Sequence, residues 1–471
     1  MNTNDIRPVI NGFLARHEEQ CLQERETHFG ASLQRSFYIK TYGCQMNERD
    51  SESVAALLVA RGYVRAGNED SADIVLLNTC SVREVAEQKA IGKACLLLNR
   101  RGSNKVVGIM GCMAQNRGEA LLETLPDLDL IVGTQQMHRI PDFLEQGESI
   151  CALEEEVDSQ NALAGRLDTP PSAFVSIMQG CNMGCSYCIV PKTRGRELSR
   201  PITDIVAEVQ QLAQSGTKEV TLLGQIVTSY GLGSIAFQNK QSPFVQLLRA
   251  IEAIDGIKRI RFTSPHPSGF RADLIEAFGE LNKLCPNVHL PLQSGSDKIL
   301  KAMKRPYTVS KYRDIVDRLK TSRTGICFST DIIVGFPGEN EEDFQATLET
   351  FDAVGFDMAY LFKYSLRTGT PAEVLGDPIP EEEKERRNQV LIEKLAQRSL
   401  ASHRTCVGQS VEVLVEGPAK RGNNRYWGRT PEFKKVFFDA SNADLGQLLT
   451  IEIESATTTC LLGQQVSPIK Q

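Results

Sequence analysis

Apolar residues first gather into short runs at Phe37–Tyr42, Asp73–Leu77 and Lys105–Met110. Runs of this length, bounded by polar residues, predict buried strands. Between them the spacing turns helical, over Ser51–Ala60, with Ser51 placed as an N-cap, and from about Val82 to Asn99. Strand and helix in alternation predict an α/β domain on an open parallel sheet. The alternation resumes at Phe174. Six strands are expected to start near Phe174, Glu219, Arg259, Asn287, Cys327 and Asp357, with helices such as Asp204–Gln214 and Asp343–Val354 between them. Six β/α units in roughly 190 residues predict a partial (β/α)6 barrel, open on one side. A charged helix, Glu381–Arg404, follows. Short strands at Val411–Val415, Val436–Phe438 and Leu449–Ile453 then predict a small β-barrel.

This pattern divides the chain into an N-terminal extension (1–35), an α/β domain (36–150), a linker (151–173), the partial barrel (174–400) and the small β-barrel (401–468). The linker carries Glu154 to Glu156 and ends in Pro170-Pro171. No run of eighteen apolar residues is present, so no membrane span is expected. The N-terminus carries acids and amides where a signal peptide needs an apolar core. The expected location is therefore cytoplasmic. Hydrophobic residues at 41% and charged residues at 24% fit a globular chain, and the formal net charge of −6 argues against coating nucleic acid by bulk charge. A local basic patch remains open.

The 471 residues include thirteen cysteines. The odd count and a reducing compartment disfavour a disulfide framework, and grouped cysteines there more often bind metal or do redox chemistry. The sharpest group is Cys181-Asn-Met-Gly-Cys185-Ser-Tyr-Cys188, just after the first barrel strand, where barrel enzymes place their chemistry. Three thiolates at C-x3-C-x2-C can hold three irons of a cubane and leave the fourth open. A structural zinc would want a fourth protein ligand, and the nearest downstream histidine, His266, is remote in sequence. Cys44, Cys80 and Cys112 each follow a predicted strand of the α/β domain, so one edge of a parallel sheet can bring them together. Each is also readable alone as a small buried side chain. Cys21, Cys95, Cys151, Cys285, Cys327, Cys406 and Cys460 are scattered and read as packing or surface residues.

The cysteine spacing resembles the radical S-adenosylmethionine superfamily. The surroundings sharpen this: YGCQMN, NTCSVRE and GCMAQ around Cys44, Cys80 and Cys112, then CIVPKTRGRE, SPHP, LPLQSGSDKIL and TDIIVGFPGE in the barrel. Together these resemble the methylthiotransferases of that superfamily, over roughly residues 36–466, with a last part similar to the TRAM RNA-binding barrel. TRGRE at 193–197 and GRTPE at 428–432 resemble the branch acting on N(6)-isopentenyladenosine in tRNA. The resemblance implies two [4Fe-4S] clusters, one on each cysteine triplet, and S-adenosylmethionine as co-substrate. One molecule would give a methyl group to sulfur at the auxiliary cluster. A second would give the 5′-deoxyadenosyl radical that takes hydrogen from carbon 2 of the adenine. Both cluster faces are then expected to border one cavity. The implied partners are a tRNA anticodon stem-loop carrying isopentenyladenosine and an electron donor such as flavodoxin or ferredoxin, with the enzyme a monomer. Ile226, Thr228 and Val85 depart from the family pattern, in loops expected to face the cavity.

Further site residues are expected around these. Tyr187 matches an aromatic that lies near the adenine of S-adenosylmethionine in the superfamily, and it also reads as packing over a cluster. Gln293, Ser294 and Asp331, at late strand ends, could contact the cofactor or base, or serve loop hydrogen bonding. Gly335-Phe-Pro-Gly338 reads as a turn, with or without a cofactor against it. Basic residues Lys420, Arg421, Arg425, Arg429, Lys434 and Lys435, interleaved with Tyr426, Trp427 and Phe433, suit phosphate and base contacts, or an ordinary solvated loop. Of these, Lys420, Arg425, Arg429 and Phe433 are the RNA-binding candidates. Lys192, Arg194, Arg196 and Arg200 form a second basic stretch, whose alternative is internal salt bridges. Two other functions remain in view. One is methylthiolation of threonylcarbamoyladenosine tRNA or of a ribosomal protein. The other, of a different class, is an RNA-binding protein with structural or redox-sensing clusters.

Overall fold

The computed structural model describes residues 34–466 except 82, 83, 101, 103, 148, 155–164, 423 and 441. Cys21, most of the N-terminal extension and the expected helix start at Val82 lie outside the described residues. The first sheet holds β1 (Ser36–Tyr42), β2 (Val64–Arg65), β3 (Ile74–Thr79), β4 (Val106–Gly111), β5 (Leu130–Val132) and β6 (Ile150–Ala152). All pair in parallel, in the order β2-β1-β3-β4-β5-β6. β2, β5 and β6 are two or three residues long, too short to stand out as apolar runs. Both faces of the sheet are covered. Val54, Leu58, Phe143 and Leu144 pack on one side, and Ala90, Ala94 and Leu97 on the other. The order reverses between β1 and β3, and ligands of open parallel sheets sit outside the strand carboxyl ends at such a reversal. Cys44 and Cys80 stand on its two sides, and Cys112 follows β4 next door.

The first helix runs Gln45–Ala60, so Ser51 lies inside it and is not its cap. Cys44 is the N-cap, its N–H donating to Asn47 Oδ1 at 3.3 Å. Ser51 Oγ instead lies 2.8 Å from Thr41 Oγ1 and accepts from Asn78 Nδ2 at 3.0 Å.

The central region follows with β7 (Ser172–Ser176), a short antiparallel pair of β8 (Met178–Gln179) and β9 (Leu198–Ser199), then β10 (Glu219–Leu223), β11 (Arg259–Phe262), β12 (Asn287–His289), β13 (Cys327–Val334) and β14 (Met358–Lys363). β6 and β7 thus reach into the stretch expected as linker. The parallel sheets β7-β10-β11 and β12-β13-β14 are joined by a bridge between Ile260 and Leu284. β7 and β14 remain edges, so the six-stranded barrel is open between them, as the pattern predicted. Helix Glu381–Arg404 leads to a closed barrel of β15 (Ser410–Pro418), β16 (Arg425–Arg429), β17 (Lys435–Asp439), β18 (Leu448–Ala456) and β19 (Leu461–Gln465), ordered β15-β16-β17-β19-β18.

The carboxyl ends of the first sheet meet the carboxyl ends of the central barrel. Thr134 Oγ1 donates to Thr193 O at 2.6 Å, and Arg367 Nη1 donates to Ser81 O. The small barrel caps the opposite end. There Arg261 donates to Pro431 O and Thr430 O, each at 2.8 Å, and to Glu219 Oε2 at 2.8 Å. No helix among the described residues is long and apolar enough to cross a membrane.

Candidate metal centres

The loop after β7 carries Cys181, Cys185 and Cys188. β8 and β9 pinch its base. Cys181 N–H donates to Gly195 O at 3.0 Å, and Asn182 and Glu197 exchange two bonds at 3.1 Å. Gly180 has φ +81°, and a Cβ there would lie 1.9 Å from Arg196 O, so only glycine lets the loop close. Cys181 and Cys185 are buried, Cys188 half-buried. Met183 N–H donates to Cys181 Sγ at 3.4 Å and Arg305 Nη1 to Cys185 Sγ at 3.3 Å. Burial pushes the Cys181 thiol up to about 12 and Cys188 up to about 11, and the neighbouring cysteines add to both shifts. Cys181 and Cys188 thus sit in a poorly solvated site that would hold them ionised only against strong positive charge.

The second triplet is assembled across three strands. Cys44 Sγ donates to Asn47 Oδ1 at 3.3 Å, and Asn47 Nδ2 to Asn78 Oδ1 at 3.0 Å, both asparagines being fully buried. Gly111 takes φ +96° because a Cβ would strike Asn78 Oδ1 at 2.3 Å, and Cys112 follows it directly. A hydrogen bond with the Cys80 thiol draws Cys44 down to about 6, Arg194 helping and burial opposing. Burial pushes Cys112 up, with Arg194 opposing and Cys44 adding to the rise.

Arg194 comes from the other loop, at the end of the short helix Val190–Arg194. Its Nε donates to Cys112 Sγ at 3.2 Å and its Nη2 to Asp50 Oδ2 at 2.7 Å. Its side chain is only 3% exposed. Burial works against its charge, but Asp50 and Cys112 outweigh it. The basic stretch therefore divides. Arg194 and Arg200, which meets Glu208 at 2.7 Å, are spent on internal ion pairs, while Lys192 and Arg196 are exposed. Where the two domains meet, a cavity of about 20 Å³ lies among Met46, Asp50, Ser176, Gln179 and Arg200, room for a water and not for a base.

Three cysteine thiols in each set are the donor chemistry that iron–sulfur clusters take. Among the described residues no three His, Cys, Asp or Glu are set for a single metal ion. The twelve described cysteines are all free.

Other expected residues scatter. Tyr187 packs against the apolar side chains of Ile299, Met303, Phe336, Tyr364 and Ala372. Gln293 takes φ +69°, and its N–H donates to Asp331 O. Ser294 is fully buried, 3.4 Å from Thr347 Oγ1, and accepts from Ser296 N. It anchors its turn to helix Glu341–Val354, which fits the loop hydrogen bonding expected of it as one of two readings. Asp331 Oδ2 meets His289 Nε2 at 3.3 Å, with the Tyr360 ring 5.9 Å from the His289 ring. Sequence reasoning missed His289 and Tyr360, although strand alternation and the Asp331–Tyr360 register place all three on one face. Gly335–Gly338 holds a bend and a turn, and its Phe336 is core. Ile226 and Thr228 are buried, and Thr228 Oγ1 accepts from His266 N at 3.0 Å, which secures the neighbouring loop. Val85 lies exposed on helix Glu84–Arg100 and not in a loop.

In the small barrel, Arg429 pairs with Glu416 at 2.7 Å, and its guanidinium lies 4.7 Å from the Phe433 ring, with Arg261 5.0 Å from that ring. These two RNA candidates therefore have partners at the junction with the central barrel. Lys420 is exposed and Arg425 lies 3.9 Å from Asp439. Trp427 and Phe437 stand directly opposite each other, and Lys435 Nζ lies 4.8 Å and 4.7 Å from their rings. Phe437 was missed because its strand reads as a plain apolar run.

Family models match in three places: the Radical SAM superfamily at residues 175–351, the uncharacterized protein family UPF0004 at 36–133 and the TRAM domain at 404–466. A tRNA-2-methylthio-N(6)-dimethylallyladenosine synthase of Opitutus terrae is 53% identical, covering 91% of this chain and 96% of its own. One of Akkermansia muciniphila is 49% identical over 90% of this chain and 98% of its own. Among solved structures, the radical S-adenosylmethionine methyltransferase TsrM from Kitasatospora setae matches with a TM-score of 0.53 over 72% of this chain and 75% of that one. At 14% identity this is a likeness of fold.

Proposed function

The chain belongs to the family of tRNA-2-methylthio-N(6)-dimethylallyladenosine synthases, and from that premise we infer how its own residues serve the reaction. It is a transferase that places a methylthio group on carbon 2 of N(6)-isopentenyladenosine beside the anticodon of tRNA. The observation that carries the residue-level reading is Arg194, which leaves the loop of one cysteine triplet and donates to a thiol of the other. Two sets of chemistry are thereby held face to face.

In this reading Cys181, Cys185 and Cys188 hold one [4Fe-4S] cluster and Cys44, Cys80 and Cys112 the second, each leaving one iron without a cysteine. When bound, the clusters and S-adenosylmethionine supply the radical and the methyl group that no side chain can provide. The chain supplies position and dryness. Asn47 and Asn78 fix the Cys44 side, Arg194 and Asp50 fix Cys112, and the β8–β9 clasp fixes Cys181. Gln293 and the trio His289, Asp331 and Tyr360 are assigned to contacts with the cofactor or the flipped base, and Tyr187 to the cofactor's adenine. A loop base costs a few kcal/mol or less to unstack, being partly unstacked already.

We assign RNA contact to the small barrel through Lys420, Arg425, Lys435, Trp427 and Phe437, with Arg429 and Phe433 holding that barrel against the central one. We further propose cytoplasmic action as a monomer supplied with electrons by a flavodoxin or ferredoxin. Residues 36–150, 174–400 and 401–468 are taken as the auxiliary-cluster, radical and RNA-binding domains. The test is mass spectrometry of tRNA nucleosides from a deletion strain. Loss of 2-methylthio-isopentenyladenosine, restored by the wild-type chain, is expected. An unchanged level overturns the reading.

A further inference from the structure

We propose that a cleft on the rim of the central barrel is the docking site for an acidic one-electron carrier protein. The proposal rests on the reading of Cys181, Cys185 and Cys188 as holders of a cluster that is reduced one electron at a time. The cleft has a volume of about 490 Å³ and is lined by Asp297, Lys301, Arg305, Tyr307 and Lys311 among others. Lys301 and Lys311 are exposed and make no ion pair among the described residues, and Lys304, also exposed, stands beside Arg305. The one carboxylate, Asp297, already accepts from Val309 N–H at 2.7 Å. The cleft lining therefore carries three cations, Lys301, Arg305 and Lys311, against one carboxylate.

Arg305 makes this cleft different from other basic surface. Its Nε donates to Tyr307 Oη at 3.1 Å, and its Nη1 reaches Cys185 Sγ at 3.3 Å. Tyr307 Oη is itself anchored on Pro291 O and Leu292 O. One held side chain thus spans from the cleft wall to a cluster thiol. Tunnelling falls steeply with distance, so a carrier gains by sitting here. RNA gains nothing comparable. Its target carbon must meet the 5′-deoxyadenosyl radical, whereas Arg305 meets a cysteine thiol. The basic and aromatic face around Trp427 and Lys435 belongs to the other barrel. At this step one electron leaves the carrier, which is oxidised by one, and enters the iron cluster, which is reduced by one. No bond forms or breaks.

The experiment uses full-length protein with both clusters reconstituted, mixed anaerobically with a reduced flavodoxin of net negative charge. Cluster reduction is followed by rapid-freeze electron paramagnetic resonance. The double variant Lys301→Glu/Lys311→Glu is expected to slow reduction by flavodoxin about tenfold or more at low salt, as expected when steering charges are reversed. Raising salt should slow the wild type and narrow the gap. Reduction by dithionite, which needs no docking, should be equal in both. An unchanged flavodoxin rate overturns the proposal. So does a variant whose flavodoxin rate holds while its affinity for the anticodon stem-loop falls, since the cleft then serves RNA. Failure of dithionite to produce a reduced-cluster signal in the wild type would instead overturn the cluster reading beneath it.

Discussion

Two cysteine triplets in this molecule are linked through Arg194, and they are built by opposite means. Cys181, Cys185 and Cys188 belong to one loop, clasped at its base by β8 and β9 and closed by a glycine that no other residue can replace. Cys44, Cys80 and Cys112 are gathered by topology, each just past a different strand of one sheet, at and beside the reversal of strand order. Their electrostatics differ as well. Burial leaves Cys181 and Cys188 as thiols far into the alkaline range, whereas Cys80 and Arg194 draw Cys44 below neutrality. One triplet is a local motif that waits for iron to ionise it. The other is a tertiary site partly charged in advance at Cys44, by its hydrogen bond with Cys80 and with help from an arginine lent by its counterpart.

If the triplets are separable, they break separately. Cys185→Ala should abolish 5′-deoxyadenosine formation and lower iron from about eight to about four per chain. Cys112→Ala should lose a similar amount of iron yet keep forming 5′-deoxyadenosine, with no methylthiolated product. Iron analysis and product chromatography on the two variants decide this. Equal loss of 5′-deoxyadenosine in both would mean one site and not two. The next largest effect is expected at Asp50→Asn. It leaves Arg194 charged and buried without its carboxylate, a change that costs roughly 3–5 kcal/mol for buried pairs. The urea midpoint of the metal-free chain should fall, and iron should be lost from the N-terminal triplet alone. A loss shared equally by both would show that Arg194 braces the loop of Cys188 as much as it serves Cys112.

The same contrast explains what was legible in the sequence. A spacing of C-x3-C-x2-C is complete within eight residues, and the six central strands fell where the apolar runs put them, β12 included although it is only three residues long. The N-terminal triplet showed only as cysteines after strands, since convergence depends on strand order. That order turns on β2, a two-residue strand with no signature. Arg194 read as one of four nearby cations. Nothing local says that it, and not Lys192 or Arg196, turns inward, because the deciding partner, Asp50, lies in another domain. The contacts of Phe433 and Arg429 with each other and with Arg261 were illegible for the same reason. A basic and aromatic stretch looks alike whether it meets phosphate or the underside of a neighbouring barrel.

Glycines ahead of the cysteines offer a finer test of clasp against gathering. Gly180→Ala forces a left-handed residue against the Arg196 carbonyl, which cannot move without opening the β8–β9 clasp. Gly111→Ala meets the Asn78 side-chain amide, which can turn aside. Both pay about 1 kcal/mol or more for φ, and Gly180→Ala should lose more, seen as a larger drop in urea midpoint and weaker iron retention. The reverse order would mean that the asparagine network is the stiffer support.

The gentlest probe leaves the sequence untouched. In metal-free protein held anaerobically, iodoacetamide reacts with thiolates, so its rate at each cysteine follows ionisation. Cys44 lies near 6, below the ordinary 9.0, and its labelling should rise through pH 6 and be level by about 7.5. Cys188 and Cys181, near 11 and 12, should stay almost inert over that range. Accessibility scales a rate but does not move its midpoint, so the midpoint separates ionisation from exposure. The linkage has the matching sign. A thiol whose folded value is lowered lends stability that is fully present above its unfolded value and is lost as pH falls through about 6. Urea midpoints of the metal-free chain should therefore decline as pH falls from about 9 to about 6, and Cys44→Ser should flatten that decline. Peptide mass spectrometry after a short pulse reads the labelling directly. A Cys44 midpoint near 9 would show that Cys80 and Arg194 do not precharge the gathered triplet, and the electrostatic half of the contrast would fall while the topological half stood.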